Sequence, residues 1–194
     1  MVRRRASDVW RPAILAALLV IGCAPAIQPL GPARPLALRE GEGLLVLHVD
    51  SDIPIAALEL NRGTGAHAIQ AGHHVWLVRA REGDYRWVML RLGHEAGRED
   101  HIEIEKEDEF AFEVKSGAIN YPGALIVRSH RASRSVTGYV RIRNRNHAAM
   151  AIRMLRQDDA SILDAYPLRY AGPTPDGFLE HYTEAREATP ESAP

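Results

Sequence analysis

The nine histidines of the chain are the first residues to consider for chemistry, because imidazole is the commonest metal ligand in proteins. His94, Glu95 and His101 lie close together, but their spacing is not the His-Glu-x-x-His arrangement that places two ligands on one helix face. His73 and His74 are neighbours in a predicted strand and therefore point to opposite faces. We predict no metal site and no cofactor, and we keep a His-ligated metal hydrolase as the least favoured functional alternative.

Nucleophilic and acid–base catalysis need side chains in particular arrangements, and the sequence offers none. Ser129 and His130 are adjacent in a predicted strand, so their side chains cannot form the hydrogen bond that joins a nucleophile to its base. The carboxylates between Glu105 and Glu109 form a like-charged run that is typical of a solvated turn. The sequence has neither a Gly-x-Ser-x-Gly motif nor a phosphate-binding glycine loop. We therefore predict a non-enzymatic protein with no catalytic residues.

Charged residues are strongly segregated along the chain. Nine acidic residues lie between Glu95 and Glu113, whereas eight arginines and no acidic residue lie between Arg128 and Arg156. One interpretation is internal: basic and acidic strands face each other, and each exposed pair stabilises the fold by about 0.2–1 kcal/mol. The other is functional, because an aromatic ring beside guanidinium groups on one strand face suits a phosphate- or carboxylate-bearing partner. The candidate partner-binding residues are Tyr139, Arg141, Arg143 and Arg145.

The N-terminus has the three parts of a secretory signal. Four arginines within residues 1–11 precede an uncharged apolar run, Ala13–Gly22, which is too short to cross a bilayer that requires about 20 helical residues. The run ends in Val20-Ile21-Gly22-Cys23, which resembles the lipobox of bacterial lipoproteins. The resemblance implies that residues 1–22 are a signal peptide and that Cys23 is lipidated and becomes the first mature residue. Since Ala24 is not Asp, it also implies an outer-membrane location that faces the periplasm.

The remaining 172 residues are the right length for one domain. Removing four Arg and one Asp with residues 1–22 changes the formal net charge from −1 to −4, which argues against a nucleic-acid partner. Cys23 is the only cysteine. The fold must therefore depend on its apolar core rather than on disulfides.

The elements that position the candidate residues are mostly short strands. Residues 23–42 are rich in Pro and Gly and predict an extended tether that follows the lipidated Cys. Leu44–Asp50 predicts a strand with apolar residues on both faces, and His74–Ala80 with Tyr85–Leu92 predicts a hairpin joined at Gly83. Pro122 and Gly123 fit the central positions of a type II turn. Seven or eight strands over residues 43–146 predict an antiparallel β-sandwich.

The pattern becomes helical after residue 146. Residues 147–187 are predicted to form a C-terminal helical segment that packs on the sandwich, and residues 188–194 a disordered tail. A lipobox, a sandwich with a Gly-x-Ile-Asn-Tyr-Pro-Gly-x-Leu-Ile segment at Gly117–Ile126 and a helical tail resemble small proteobacterial envelope lipoproteins. That resemblance implies a fold and a cellular location rather than a chemical reaction.

The leading hypothesis is a non-enzymatic accessory lipoprotein, held on the membrane by its lipid, that binds another envelope protein. The alternative is direct binding of an anionic envelope component, such as lipopolysaccharide, anionic lipid or peptidoglycan, through the arginine-rich face. Because such contacts are screened charges, that binding would fall steeply with salt.

Overall fold

The computed structural model describes residues 27–29, 37–93, 99–104, 107–131, 138–173, 177–179 and 181–182. The predicted signal peptide (residues 1–22), Cys23 and the predicted tail (residues 188–194) lie outside the described residues, so these three remain predictions.

The described residues are mainly β, with a short helical part near the C-terminus. The α-helices with complete bounds among the described residues are α1 (Ala148–Asp158) and α2 (Ala160–Ala165). Residues 177–179 and 181–182 are also helical, and Asp108–Phe110 forms a 3₁₀ turn. The strands are β1 (Ile27–Pro29), β2 (Glu42–Ser51), β3 (Ile55–Leu60), β4 (Gly63–Ile69), β5 (Gly72–Arg81), β6 (Gly83–Gly93), β7 (Glu99–Glu103), β8 (Ala111–Val114), β9 (Ile119–Tyr121), β10 (Ala124–Arg131), β11 (Gly138–Arg145) and β12 (Leu168–Tyr170).

The strands form two sheets. The first sheet has the order β1-β5-β2-β10-β11, with β9 beside the start of β2 and β12 beside β9. The second sheet has the order β4-β3-β6-β7, and β8 pairs with the other half of β6. The two sheets and the helices near the C-terminus confirm the predicted fold class, a β-sandwich with a C-terminal helical segment. The described strands outnumber the seven or eight expected, and β2 runs parallel to β9 and β10, as β12 does to β9.

Strand β2 lies at the centre of the fold and is buried on both faces, as its continuous apolar run predicts. Alternate residues Leu45, Leu47 and Val49 pack between the sheets with Trp87 and Leu90 of β6. The intervening residues point to the outer face of the first sheet. There Leu44 and Val46 pack under α1 and α2, which contribute Ala151, Ile152, Leu155, Ile162 and Leu163.

The connection between β5 and β6 is not the predicted hairpin. The two strands lie where expected, but β5 pairs with β1 and β2 in the first sheet, whereas β6 pairs with β3, β7 and β8 in the second. Gly83, with φ +136°, lies where the chain crosses from one sheet to the other. Two adjacent amphipathic strands can face one core from the same sheet or from opposite sheets, and their alternation is the same in both cases.

The chain does not reverse at Pro122-Gly123 either. Strands β9 and β10 both run parallel to β2. The dipeptide therefore joins two consecutive strands that pair with the same edge of β2. Gly123 has φ +108°, and a Cβ there would lie 2.5 Å from Asn144 Oδ1. The positive φ that the sequence predicts is present, but it shifts the strand register instead of turning the chain.

The segment predicted as a free tether is partly incorporated into the first sheet. Ile27–Pro29 pairs antiparallel with Val78–Ala80, and β2 already begins at Glu42. A strand also lies within the predicted helical segment, because Leu168–Tyr170 pairs with β9. The first sheet thus uses short strands from both ends of the described chain.

Candidate functional site

The four candidate partner-binding residues lie on one face of β11. Val140 and Ile142 point inward and pack on the core between the sheets. Tyr139, Arg141, Arg143 and Arg145 occupy the alternate positions and therefore point to the outer face of the first sheet. We call these four residues the β11 surface.

An aromatic pair forms one end of the β11 surface. Tyr139 is opposite His130 of β10 in the antiparallel register, and the two rings stack with centroids 5.0 Å apart at 20°. The Tyr139 side chain is nevertheless 61% exposed. A flat ring that is held in place and open to solvent is a ready contact for a partner side chain, since Tyr adds contact area with little loss of conformational entropy.

Next to this pair, the register places two arginines opposite each other. Arg141 lies across from Arg128 of β10, and like charges in that position are destabilising. Arg128 has a partner: its Nη2 lies 2.5 Å from Asp50 Oδ2, and its Nη1 donates to the Asp50 carbonyl at 2.8 Å. The hydrogen bond to Asp50 raises the pKa of Arg128.

The three arginines of the β11 surface have no such carboxylate partner among the described residues. In the part of the chain that the structure describes, no carboxylate pairs with Arg141, Arg143 or Arg145. A local excess of positive charge therefore remains on this face.

The strand order does not pair the basic strands with the acidic strands. The basic strands β10 and β11 pair with each other, while the acidic strands β7 and β8 both pair with β6 in the second sheet. Chain connectivity is the reason: β10 and β11 are consecutive antiparallel strands, so the arginine-rich segment folds back on itself.

The outer backbone edge of β11 has no strand partner among the described residues. β11 is the last strand of the first sheet. Within the part of the chain that the structure describes, a neighbouring segment holds its C-terminal end, where Asn144 Nδ2 donates to the carbonyls of Glu109 at 2.7 Å and Pro122 at 3.0 Å and where residues 108–110 contact β11. Unpaired N–H and C=O groups on such an edge are a template for another strand.

A buried polar cluster that the sequence did not reveal lies beside the β11 surface on the same sheet face. His48 of β2 is fully buried, with Nδ1 3.2 Å from Tyr121 Oη, which in turn accepts a hydrogen bond from the His147 amide at 3.1 Å. Asp50, two residues after His48, contacts His73 Nδ1 at 3.4 Å. Burial lowers the pKa of His48 to about 4, with a further lowering from nearby His147. His48 is therefore neutral at pH 7 in the folded protein.

These histidines do not make a metal centre of the usual kind. The described residues contain no group of three or more His, Cys, Asp or Glu side chains that could hold a metal ion. His48 Nε2 and His147 Nδ1 are buried without a hydrogen-bond partner among the described residues.

A partly open pocket of about 480 Å³ lies away from the β11 surface. Its lining comes mainly from β4 and β5 and includes Trp76, on which His74 stacks with ring centroids 5.4 Å apart. Strands β2 and β10 separate β5 from β11. The pocket and the β11 surface are therefore different features.

No family model, curated protein or solved structure matches this chain. Among the described helices, none is long and apolar enough to cross a membrane. Function must therefore be inferred from the chemistry of the surfaces described above.

Proposed function

We propose that this chain is a non-enzymatic interaction module of the cell envelope that binds an acidic partner protein through the β11 surface. In this proposal Cys23 carries the lipid that holds the module on the periplasmic side of the outer membrane. The observation that carries the binding proposal is the set of arginines on β11 that have no acidic partner among the described residues.

The energetic cost of this arrangement supports a binding role. Placing Arg141 opposite Arg128 is unfavourable for the isolated domain. Of the described carboxylates near this pair, Asp50 is already paired with Arg128, and Asp52 accepts hydrogen bonds from Ser129. A carboxylate supplied by a partner would relieve that repulsion and form bidentate, charge-assisted hydrogen bonds. Local features that disfavour the isolated fold are expected where a protein has a function.

The open edge of β11 favours a protein over a lipid or glycan as the partner. Charge alone would suit any anionic component of the envelope. A row of unpaired backbone donors and acceptors beside the charges, however, is complementary to a polypeptide. The exposed Tyr139 ring adds an aromatic contact of the kind that is enriched in protein interfaces.

The proposal is tested by in-cell cross-linking followed by affinity purification of the full-length chain. The wild type is compared with Arg141→Glu/Arg143→Glu and with a control of equal charge change, Arg81→Glu/Arg153→Glu, whose two exposed arginines lie on β5 and α1. We expect one specific protein to be recovered with the wild type and the control but not with the β11 variant. Circular dichroism checks that all three are folded.

Two results would contradict the proposal. Recovery of the same partner by the β11 variant would show that another surface binds it. Recovery of lipopolysaccharide or anionic lipid, with salt-sensitive binding and no protein, would favour the alternative of an anionic envelope component.

A further inference from the structure

We infer that the partner adds an extended strand to the outer edge of β11, with acidic side chains at alternate positions of that strand. This inference rests on the proposed function and specifies the partner's conformation and sequence pattern. It differs from a simple charge contact, because main-chain hydrogen bonds would supply part of the affinity.

The backbone edge provides the first argument. β11 is eight residues long, is held along its other edge by the full length of β10, and ends the first sheet. The strand is therefore rigid before binding, so little conformational entropy of this chain is lost when a new strand pairs with it. Protein sheets usually protect such an edge with a bulge, a proline or a very short strand. β11 has none of these from Gly138 to Arg145. Charged side chains also protect edges, and the arginines of β11 would repel a strand that lacks acidic side chains but not one that carries them.

Side-chain spacing provides the second argument. Arg141, Arg143 and Arg145 repeat with a period of two, which is the period at which one face of an added strand presents its side chains. Directly opposite residues in neighbouring strands have Cβ atoms about 5 Å apart, a distance that guanidinium and carboxylate groups span readily. Acidic residues at alternate positions of the partner would therefore face Arg141 and Arg143, with an aromatic or aliphatic residue opposite Tyr139.

The fold sets the limits of the pairing. At the C-terminal end, the hydrogen bond from Asn144 Nδ2 to the Glu109 carbonyl brings the segment before β8 close to β11. The open part of the edge is thus centred on Tyr139–Arg143. A segment of about five to six residues would fill it, which is an ordinary strand length.

Synthetic peptides provide the test, used with the full-length chain in a non-ionic detergent. The parent peptide is nine residues long, with Glu at each even position and Thr or Val between. Two derivatives carry N-methyl groups, one on the amides of the even residues and the other on those of the odd residues. A fourth peptide has the same composition with its glutamates contiguous. Affinities are measured by fluorescence anisotropy.

Strand addition predicts a particular pattern of affinities. Because alternate amides of a strand point to opposite sides, one N-methylated peptide should bind about tenfold or more weakly while the other binds like the parent. The contiguous peptide should also bind more weakly. On the protein side, amide hydrogen exchange within Gly138–Arg143 should slow when the parent peptide binds.

Failure of this inference is distinguishable from failure of the proposed function. If all four peptides bind equally and Arg141→Glu/Arg143→Glu abolishes their binding, the β11 surface binds acidic partners but strand addition is refuted. If no peptide binds and affinity purification recovers no partner, both proposals are wrong. Doubling of the protein's mass without peptide, lost in the β11 variant, would identify a second copy of the chain as the occupant and overturn the assignment to a partner protein.

Discussion

Acid should destabilise this domain through His48, over a pH range set by the burial of that side chain. His48 is fully buried, and its pKa is lowered from 6.5 to about 4, mainly by desolvation. The unfolded chain therefore binds a proton to His48 more readily than the folded protein does. Well above pH 6.5 neither state is protonated at this site, so His48 causes no change in stability with pH there.

The size of the effect follows from the pKa difference. Between pH 6.5 and 4 the free energy of unfolding should fall by up to about 1.4 kcal/mol per pH unit, a total of about 3 kcal/mol, and then level off below pH 4. His147, His73 and Asp50 lie near enough to influence this titration. Protonation would place a positive charge beside the N-terminus of α1, which is already the positive end of the helix dipole.

The assay is urea unfolding between pH 7.5 and 3.5, monitored by tryptophan fluorescence. The His48→Gln variant removes the titrating group, while His67→Gln, at an exposed site on β4, is the control. Carboxylates contribute to acid sensitivity in all three proteins, so the difference between variants isolates the histidine. We expect His48→Gln to lose about 3 kcal/mol less than the wild type between pH 6.5 and 4. An equal loss in His48→Gln and the wild type would refute the reasoning.

Three further predictions concern the backbone, a buried amide and the anchor. Gly123→Ala should lower the free energy of unfolding by about 2–3 kcal/mol, because residue 123 has a positive φ and a Cβ there would clash with Asn144. The control is Gly41→Ala, at a position with φ +72° and open space. It should lower the free energy of unfolding by only about 1 kcal/mol in the same urea assay. Asn120→Ala should cost about 2–3 kcal/mol, since the Asn120 side chain accepts from the Lys115 amide and donates to the carbonyls of Leu44 and Ala118; an unchanged urea midpoint would contradict this. Cys23→Ser should abolish incorporation of labelled palmitate and move the protein to the soluble fraction, and persistent labelling would show that Cys23 is not the lipidated residue.

Periodicity predicted the individual strands better than it predicted their partners. The double-sided apolar run of β2 and the alternation of β11 are local patterns, and the structure contains both. β4 was missed because its sequence, Gly63-Thr-Gly-Ala-His-Ala-Ile69, contains residues with weak strand propensity; its hairpin with β3 stabilises it instead. Pairing partners depend on contacts between distant segments, which no local pattern reports.

The candidate site likewise has some features that local sequence patterns predict and others that depend on contacts between distant segments. The shared face of Tyr139, Arg141 and Arg143 follows from a period of two and was predicted from the sequence. The contact between Asp50 and Arg128 joins residues 78 positions apart, so it depends on the parallel register of β2 and β10. The open edge of β11 depends on the strand order of the whole sheet, which the sequence alone did not supply.

If Cys23 carries a lipid as we propose, the short strand β1 would set the distance of the domain from the bilayer. Its first residue, Ile27, is four positions from Cys23, so a lipid on Cys23 would hold the β1 edge within about 14 Å of the membrane surface. β11 lies at the opposite edge of the same sheet, four strand spacings or about 19 Å across. The β1 edge would thus lie near the membrane, and the β11 edge would point away from it into the periplasm. A partner could then approach β11 without competing with the headgroups of the membrane that anchors it.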